Sequence, residues 1–310
     1  MKILSLFCGC GGLDMGFAQA GFDIVWANDF DKYAVQTYKA NFNHQVVEAD
    51  INEIDLDSLP DFDVLIGGFP CQPFSMMGEK RGFDDARGTL FFRIAEIIQD
   101  RINKNKKPKA IILENVRSLK THDKGRTFKT IKSILENDLE YKVFCDILNT
   151  TDYGIPQTRN RTYIVCFSNE DAKYMFPNKV TLEKTLQDLL EQNVDQKYFL
   201  SDKILPTILS DGTGGYKAKS EIDLKIARPL CATMAKMHRA CQDNYVTQNG
   251  KVRRLTPREC ARLQGFDDTF IIPVSDCQAY KQFGNAVTVN VSEAVATSVR
   301  RELERLGEWY

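Results

Sequence analysis

No apolar run in the 310-residue sequence approaches the length that crosses a bilayer. Its start, Met1-Lys2-Ile3, passes directly into a strand-like segment, without the basic and apolar regions of a signal peptide. Both absences point to a cytoplasmic protein with no membrane partner. There are only three histidines, and the nine cysteines fall without CxxC or paired-histidine spacing, which disfavours a zinc site; the odd count likewise disfavours a disulfide framework. Most of these thiols are expected to be packed as small apolar groups. Internal repeats, low-complexity tracts and a strong net charge are also missing: the formal charge is -1. That value neither favours nor excludes nucleic acid, because what matters is where the charges lie.

What is present is enough apolar material, 43% of residues, for one large domain and a smaller one. Short apolar runs alternate with amphipathic stretches through the first half. Strands are expected at Lys2–Phe7, Asp23–Asn28, Val46–Glu48, Phe62–Gly67, Ala110–Glu114, Tyr141–Leu148 and Thr162–Phe167. Between them lie helical patterns at Leu13–Ala20, Lys32–Asn41, Leu90–Ile102 and Thr127–Asn137. This alternation predicts a doubly wound α/β domain with a parallel sheet. From about residue 180 to 250 the alternation decays, and a second, irregular domain is expected there. Thr256–Gln264, with Pro257 in its first turn, and Val289–Leu306 read as helices. Two segments are basic: residues 217–262 hold eleven Lys/Arg against four acids, and residues 101–132 hold eleven against two. Either could face phosphates or be a solvated face.

Two places carry chemistry-bearing residues at the carboxyl ends of predicted strands, where open α/β sheets bind ligands. The first strand runs into Phe7-Cys8-Gly9-Cys10-Gly11-Gly12, a glycine-rich turn, although Asp14 breaks the GxGxxG pattern. Asp29 closes the second strand, where a carboxylate can accept both hydroxyls of a ribose. Asp50 follows the third strand and can accept from an adenine amino group. On these residues alone the ligand is nucleoside-containing, or the glycines are a plain turn and the acids helix caps. The fourth strand runs into Gly67-Gly68-Phe69-Pro70-Cys71-Gln72-Pro73. A lone thiol is more often packed than nucleophilic, but the flanking glycines and prolines hold this one rigidly outside the strand. Glu114 ends the fifth strand at the same edge, where poor solvation favours its neutral form; a structural cap is the other reading.

With these residues in place, nearly the whole chain resembles the cytosine-5 DNA methyltransferases, especially the compact enzymes of bacterial restriction-modification systems. Phe7–Gly12 looks like the family's S-adenosylmethionine loop, Phe69-Pro70-Cys71-Gln72 its nucleophile motif, Glu114-Asn115-Val116 its glutamate motif and Gln157-Thr158-Arg159-Asn160-Arg161 its arginine motif. RLTPRECARLQG (254–265) and QAYKQFGNAVTVNV (278–291) resemble its last two. Cysteines 8 and 10 and Phe30 depart from the usual residues; the cysteines would make the loop oxidation-sensitive, while Phe30 still offers adenine an aromatic face.

The resemblance implies a catalytic set of Cys71, Glu114, Arg159 and Arg161. It implies S-adenosylmethionine held by Phe7, Gly9, Gly11, Gly12, Leu13, Asp29, Phe30, Asp50, Ile51, Pro70 and Asn285, and no metal. Cys71 would add to carbon 6 of a flipped cytosine while Glu114 acts on ring nitrogen 3, and the products would be 5-methylcytosine and S-adenosylhomocysteine. Residues 75–88 resemble a mobile DNA clamp, with Gln72, Ser75, Met77, Lys80, Arg81 and Arg87 toward DNA. Thr233, Lys236 and Arg239, with His238, Gln242 and Asn244, fall in the region resembling the target-recognition domain. The expected boundaries are 1–180 plus 272–310 for catalysis and 181–271 for recognition, with double-stranded DNA in the cleft. A monomer is expected, with a cognate endonuclease acting on the same site. The nearest rival is a transfer-RNA cytosine-5 methyltransferase; Phe69 before Pro70 and the separate recognition region favour DNA. A binding module without turnover and a dinucleotide oxidoreductase are the more distant rivals.

Overall fold

The structure, a computed structural model, describes residues 1–69, 90–211 and 218–310. The chain divides into two compact units: residues 1–148, 160–178 and 292–310 form one, and residues 149–159 and 179–291 the other. The first is built on a seven-stranded sheet of β1 (Lys2–Leu6), β2 (Asp23–Asp29), β3 (Gln45–Glu48), β4 (Val64–Gly68), β5 (Ala110–Val116), β6 (Lys142–Asn149) and β7 (Asn160–Phe167) in the order β3-β2-β1-β4-β5-β7-β6. All seven expected strands are present. The sheet is mixed, however: β1 to β5 pair in parallel, while β7 runs antiparallel to β5. Only ten residues separate β6 from β7, fewer than a parallel crossover takes.

Strands β1, β4 and β5 are apolar over most of their length because both sheet faces are covered; Leu4, Leu65, Ile111 and Leu113 are all fully buried. The helices α1 (Gly12–Gln19), α2 (Lys32–Asn41), α3 (Leu90–Asn103) and α4 (Arg126–Ser133) follow β1, β2, β4 and β5. Helix α3 buries Phe91, Ile94, Ala95, Ile97 and Ile98, a helical stripe that seats it in the main core. Helix α2 starts where the Asp31 carboxylate accepts from the N–H groups of Tyr33 and Ala34. Expected α4 continues to Asn137, but from Ile134 to Asp138 the helix widens into a π turn.

The second unit holds α5 (Leu205–Leu209), the hairpin β8 (Tyr245–Gln248) and β9 (Lys251–Arg254), α6 (Pro257–Leu263) and α7 (Asp276–Asn285). Helix α6 opens on a capping box between Thr256 and Glu259, with Pro257 in its first turn as expected. The segment 272–291 packs within this second unit, and the return to the first begins at Ser292, inside α8 (Val289–Arg305). Gly16 of α1 makes that return tight, since a Cβ there would lie 2.4 Å from Ser292 Cβ. Among the described residues no helix is long and apolar enough to cross a membrane.

Candidate active site

The strand order reverses at β1, which lies between β2 and β4, so the carboxyl ends of β1, β2, β4 and β5 share one sheet edge at a topological switch point. After β1 the backbone turns left-handed at Phe7 (φ 55), Gly9 (φ 56) and Gly11 (φ 91). Phe7 is costly there, and the turn is held by hydrogen bonds from Cys8 N to Asn28 O and from Gly11 N to Cys8 O, both 2.9 Å. At Gly11 a side chain would strike the Phe42 ring at 2.2 Å, whereas at Gly9 nothing lies within 4 Å. Space beside Gly9 is therefore open to a ligand. Gly12 and Leu13 begin α1 and are buried.

Asp29 closes β2 beside this turn. Its Oδ2 accepts from Gly9 N at 2.9 Å and its Oδ1 from Asp31 N at 2.8 Å, and the Phe30 N–H also acts on the carboxylate. Burial raises its pKa, and these N–H groups oppose that rise. Phe30, next in sequence, is 74% exposed, an unusual position for a phenyl ring and a ready platform for a flat base. Asp50 is exposed, with Oδ1 accepting from Asn52 N and Nδ2, while Ile51 is buried in the main core.

Asp14, which broke the dinucleotide fingerprint, is fully buried and accepts from the Tyr38 hydroxyl at 2.6 Å; that oxygen also lies 2.6 Å from His44 Nε2. Burial pushes its pKa up to about 6. The sequence carried only one hint of this network, an acid in the first turn of an otherwise apolar helix. Cys8 and Cys10 are buried, and burial is the main cause that drives both thiols up, Cys10 to about 12. Neither then carries much thiolate at neutral pH, so the oxidation sensitivity expected of this loop does not follow.

At the other side of the switch point, Glu114 on β5 is in register with Gly68, the last residue of β4. Glu114 is buried and its Oε1 lies 3.1 Å from Arg161 Nε on β7. Asn115, buried beside it, donates from Nδ2 to the carbonyl of Phe69 at 2.8 Å and accepts at Oδ1 from Val116 N. It thus ties the end of β5 to the chain two residues before Cys71, a contact the sequence reading missed. Pro70, Cys71, Gln72, Ser75, Met77, Lys80, Arg81 and Arg87 lie outside the described residues.

The Arg159 guanidinium is buried in the second unit, donating to the carbonyls of Leu230 (2.9 Å), Gly284 (3.0 Å) and Ala286 (2.9 Å). Those bonds make it a tie between chain segments. Gln157 acts alike, donating to Leu263 O and accepting from Leu230 N. Thr233 is exposed, with Oγ1 2.9 Å from His238 Nε2; Lys236 is exposed and Arg239 half-buried. Asn244, considered for base contact, is instead buried and clamps Arg228 through its main-chain N–H and carbonyl. Asn285 is exposed at the end of α7.

Residues 1–301 match the family described as C-5 cytosine-specific DNA methylase. The chain is 43% identical to the Type II methyltransferase M.NlaX of Neisseria lactamica, with 99% of this chain and 98% of the relative covered. It is 36% identical to the Type II methyltransferase M.HhaI of Haemophilus parahaemolyticus, covering 98% and 95%. The S. pombe Dnmt2 methyltransferase structure superposes with a TM-score of 0.79 at 21% identity over 99% of both chains, which establishes likeness of fold. From the match over nearly its full length, the chain belongs to the C-5 cytosine-specific DNA methylases.

Proposed function

We propose that the protein transfers a methyl group from S-adenosylmethionine to carbon 5 of a cytosine turned out of duplex DNA, with Cys71 as nucleophile, and releases S-adenosylhomocysteine. The observation that carries this reading is the ion pair of buried Glu114 with half-buried Arg161, Glu114 standing in register with the strand that leads into Phe69-Pro70-Cys71. The β1–β2 edge suits the nucleoside end of the cofactor: open space at Gly9, a carboxylate at Asp29 and an exposed ring at Phe30. When bound, S-adenosylmethionine supplies an electrophilic methyl group. Asp29 would accept the ribose hydroxyls, Phe30 would cover the adenine face, and Asp50 would take its amino group. Pro70 and Asn285 are assigned to the methionine end by resemblance.

The protein's own part is to make carbon 5 nucleophilic. Cys71 sulfur forms a bond to carbon 6 while Glu114 donates to ring nitrogen 3, placing the electron pair at carbon 5. Arg161 holds Glu114 in place and reaches the base carbonyl, and Asn115 fixes the main chain leading into the nucleophile. Once carbon 5 carries the methyl group, a base removes its proton and the sulfur–carbon bond breaks, returning the thiolate. No metal is needed for these steps. Gln72, Ser75, Met77, Lys80, Arg81 and Arg87 would close on DNA, and Thr233, Lys236 and Arg239 in the second unit would help to hold the target strand. The second unit is accordingly read as the target-recognition domain. The biological role is protection of host DNA from a cognate endonuclease, by a monomeric cytoplasmic enzyme.

Tritiated-methyl transfer onto duplex DNA and onto transfer RNA tests the substrate: label in DNA is expected, and label confined to RNA would overturn the choice. Cys71→Ser should abolish transfer, so unchanged activity would remove the covalent route. Bisulfite sequencing of DNA from an expressing host would give the recognition sequence.

A further inference from the structure

The eleven cations of residues 101–132 do not share a role. Those before β5 are engaged by their own unit: Arg101 is buried, Lys104 meets Asp57 and Asp100, Lys106 meets Asp61, and Lys107 and Lys109 donate to the carbonyls of Glu140 and Glu308. Those after β5 are different. Arg117 is the first residue beyond the strand and three positions beyond Glu114. Residues 117–120 and 122–125 form two short turns, and α4 packs back on both. The second turn passes through left-handed backbone at Asp123, Lys124 and Gly125 (φ 50, 54 and 82) and is fastened by His122 Nδ1 at 2.7 Å from buried Thr127 Oγ1. Leu119 and Ile131 anchor this knob in the main core.

Arg117, Lys124, Arg126, Lys129 and Lys132 are exposed on the knob, with Lys120 half-buried among them. Arg126 is matched by Asp123 (2.6 Å) and Lys132 by Glu136 (3.4 Å). Among the described residues, Arg117 and Lys129 have no carboxylate partner, and Lys124 shares Asp123 with Arg126 only at longer range. The basic stretch 217–262 offers less than its count suggests: Arg253 is buried on Glu259, Arg262 pairs with Asp268, Arg254 lies over the Tyr280 ring, and Arg228 and Arg258 donate to main-chain carbonyls.

We propose that the knob formed by residues 117–132 is a sequence-independent phosphate grip on duplex DNA, carried by the catalytic unit beside the cytosine pocket. The inference rests on the reading of Glu114 as the acid that meets the flipped base: duplex DNA presented there carries one negative charge per about 1.7 Å of axis, and unmatched cations begin three residues away. Duplex DNA is favoured over an acidic peptide because it is what the neighbouring catalytic groups must admit.

The test is binding of a mixed-sequence 30-base-pair duplex over a salt series, with the triple variant Arg117→Gln, Lys124→Asn, Lys129→Gln. Each lost phosphate contact lowers the slope of log affinity against log salt by about 0.9, so a fall of roughly 2 to 3 is expected, with about tenfold or greater weakening at physiological salt. The charge-keeping variant Arg117→Lys, Lys124→Arg, Lys129→Arg should retain the parent slope, as should a distant control, Lys39→Gln, Lys173→Gln, Arg301→Gln. An unchanged slope in the triple variant overturns the grip. Equal losses in the charge-keeping variant or the control also overturn it, since charge at this place would then not be the cause. Methylation of plasmid DNA by the parent protein is read alongside; its absence would instead count against the proposed function.

Discussion

Glu114 and Arg161 are paired more closely than a sequence could show, and the pairing sets the terms of their chemistry. Burial favours the neutral acid while the guanidinium at 3.1 Å favours the carboxylate, and under the proposed function a base entering beside them would decide where the proton goes. Glu114→Gln keeps the volume but cannot deliver a proton. Methyl transfer should fall by about 10²–10⁴-fold with S-adenosylhomocysteine affinity unchanged in calorimetry, and near-parent rates would take Glu114 out of the mechanism. Asp14 carries a different prediction. Its carboxyl is raised to about 6, so the folded protein holds a proton between about pH 4 and 6 that the unfolded chain releases. The stability this contributes is present below about pH 4 and lost as pH rises through 6, an upper limit of about 3 kcal/mol. Asp14→Asn keeps an acceptor for the Tyr38 hydroxyl. Urea unfolding should find this variant more stable than the parent at pH 7 and equal to it at pH 4; equality at both would show that the carboxylate is not under strain. The poor solvation of Glu114 was legible from its place at the end of an apolar strand, but its ion pair and the network around Asp14 were not, because partners 47 and 24 positions away meet only in the fold.

Strands and helices were legible where apolar pattern and local caps agreed. The expected β1, β2 and β4 each end within one residue of the observed strands, because runs such as Val64-Leu65-Ile66 must be buried on both faces. The hairpin of β8 and β9 was missed although its signal was present: Asn249-Gly250 between them is the two-residue turn that favours left-handed backbone at both positions, and φ is 52 and 73. Gln248, Lys251, Arg253 and Arg254 masked the alternation. Helix α7 was read only as a family motif. The expected irregularity of the second unit also hid the fully buried pair of Arg253 and Glu259 at 2.6 Å, where Glu259 also accepts from Thr256 N and Glu191 N. Breaking one side leaves the other charge buried. Glu259→Gln should therefore cost about 3–5 kcal/mol by urea unfolding, with a smaller loss when Arg253→Met accompanies it. A cost below about 1 kcal/mol would show that water replaces the partner.

At the scale of the whole molecule, the first unit is closed by α8 and the residues after it, and this bears on the Phe7–Gly12 loop to which the cofactor is assigned under the proposed function. A discontinuous catalytic domain was foreseen, but with its return near residue 272; the structure keeps residues 272–291 in the second unit because Gly265 and Gly284 allow close crossings there, with Asn290 and with the Cys231–Ala232 main chain. No periodicity in the sequence reports a crossing between distant segments. From Ser292 onward α8 buries Val295, Ala296, Val299 and Leu303, Arg300 donates to Ala20 O at the end of α1, and Trp309 meets Phe22 edge-on at 4.8 Å. The last residues thus brace α1, whose first turn grows directly out of Gly9–Gly11. Gly16 is the contact on which this depends, since any side chain there meets Ser292 Cβ at 2.4 Å and Glu293 N at 2.5 Å, and a helix backbone cannot yield as a flexible side chain can. Gly16→Val should push α1 from α8 and disturb the loop. The expected outcome is at least tenfold weaker S-adenosylhomocysteine binding in calorimetry and a lowered unfolding midpoint. Gly16→Ala should be milder in both. Parent-like affinity in the valine variant, with the midpoint lowered, would mean that the cofactor loop holds its shape without the bracing helix and that α8 serves stability alone.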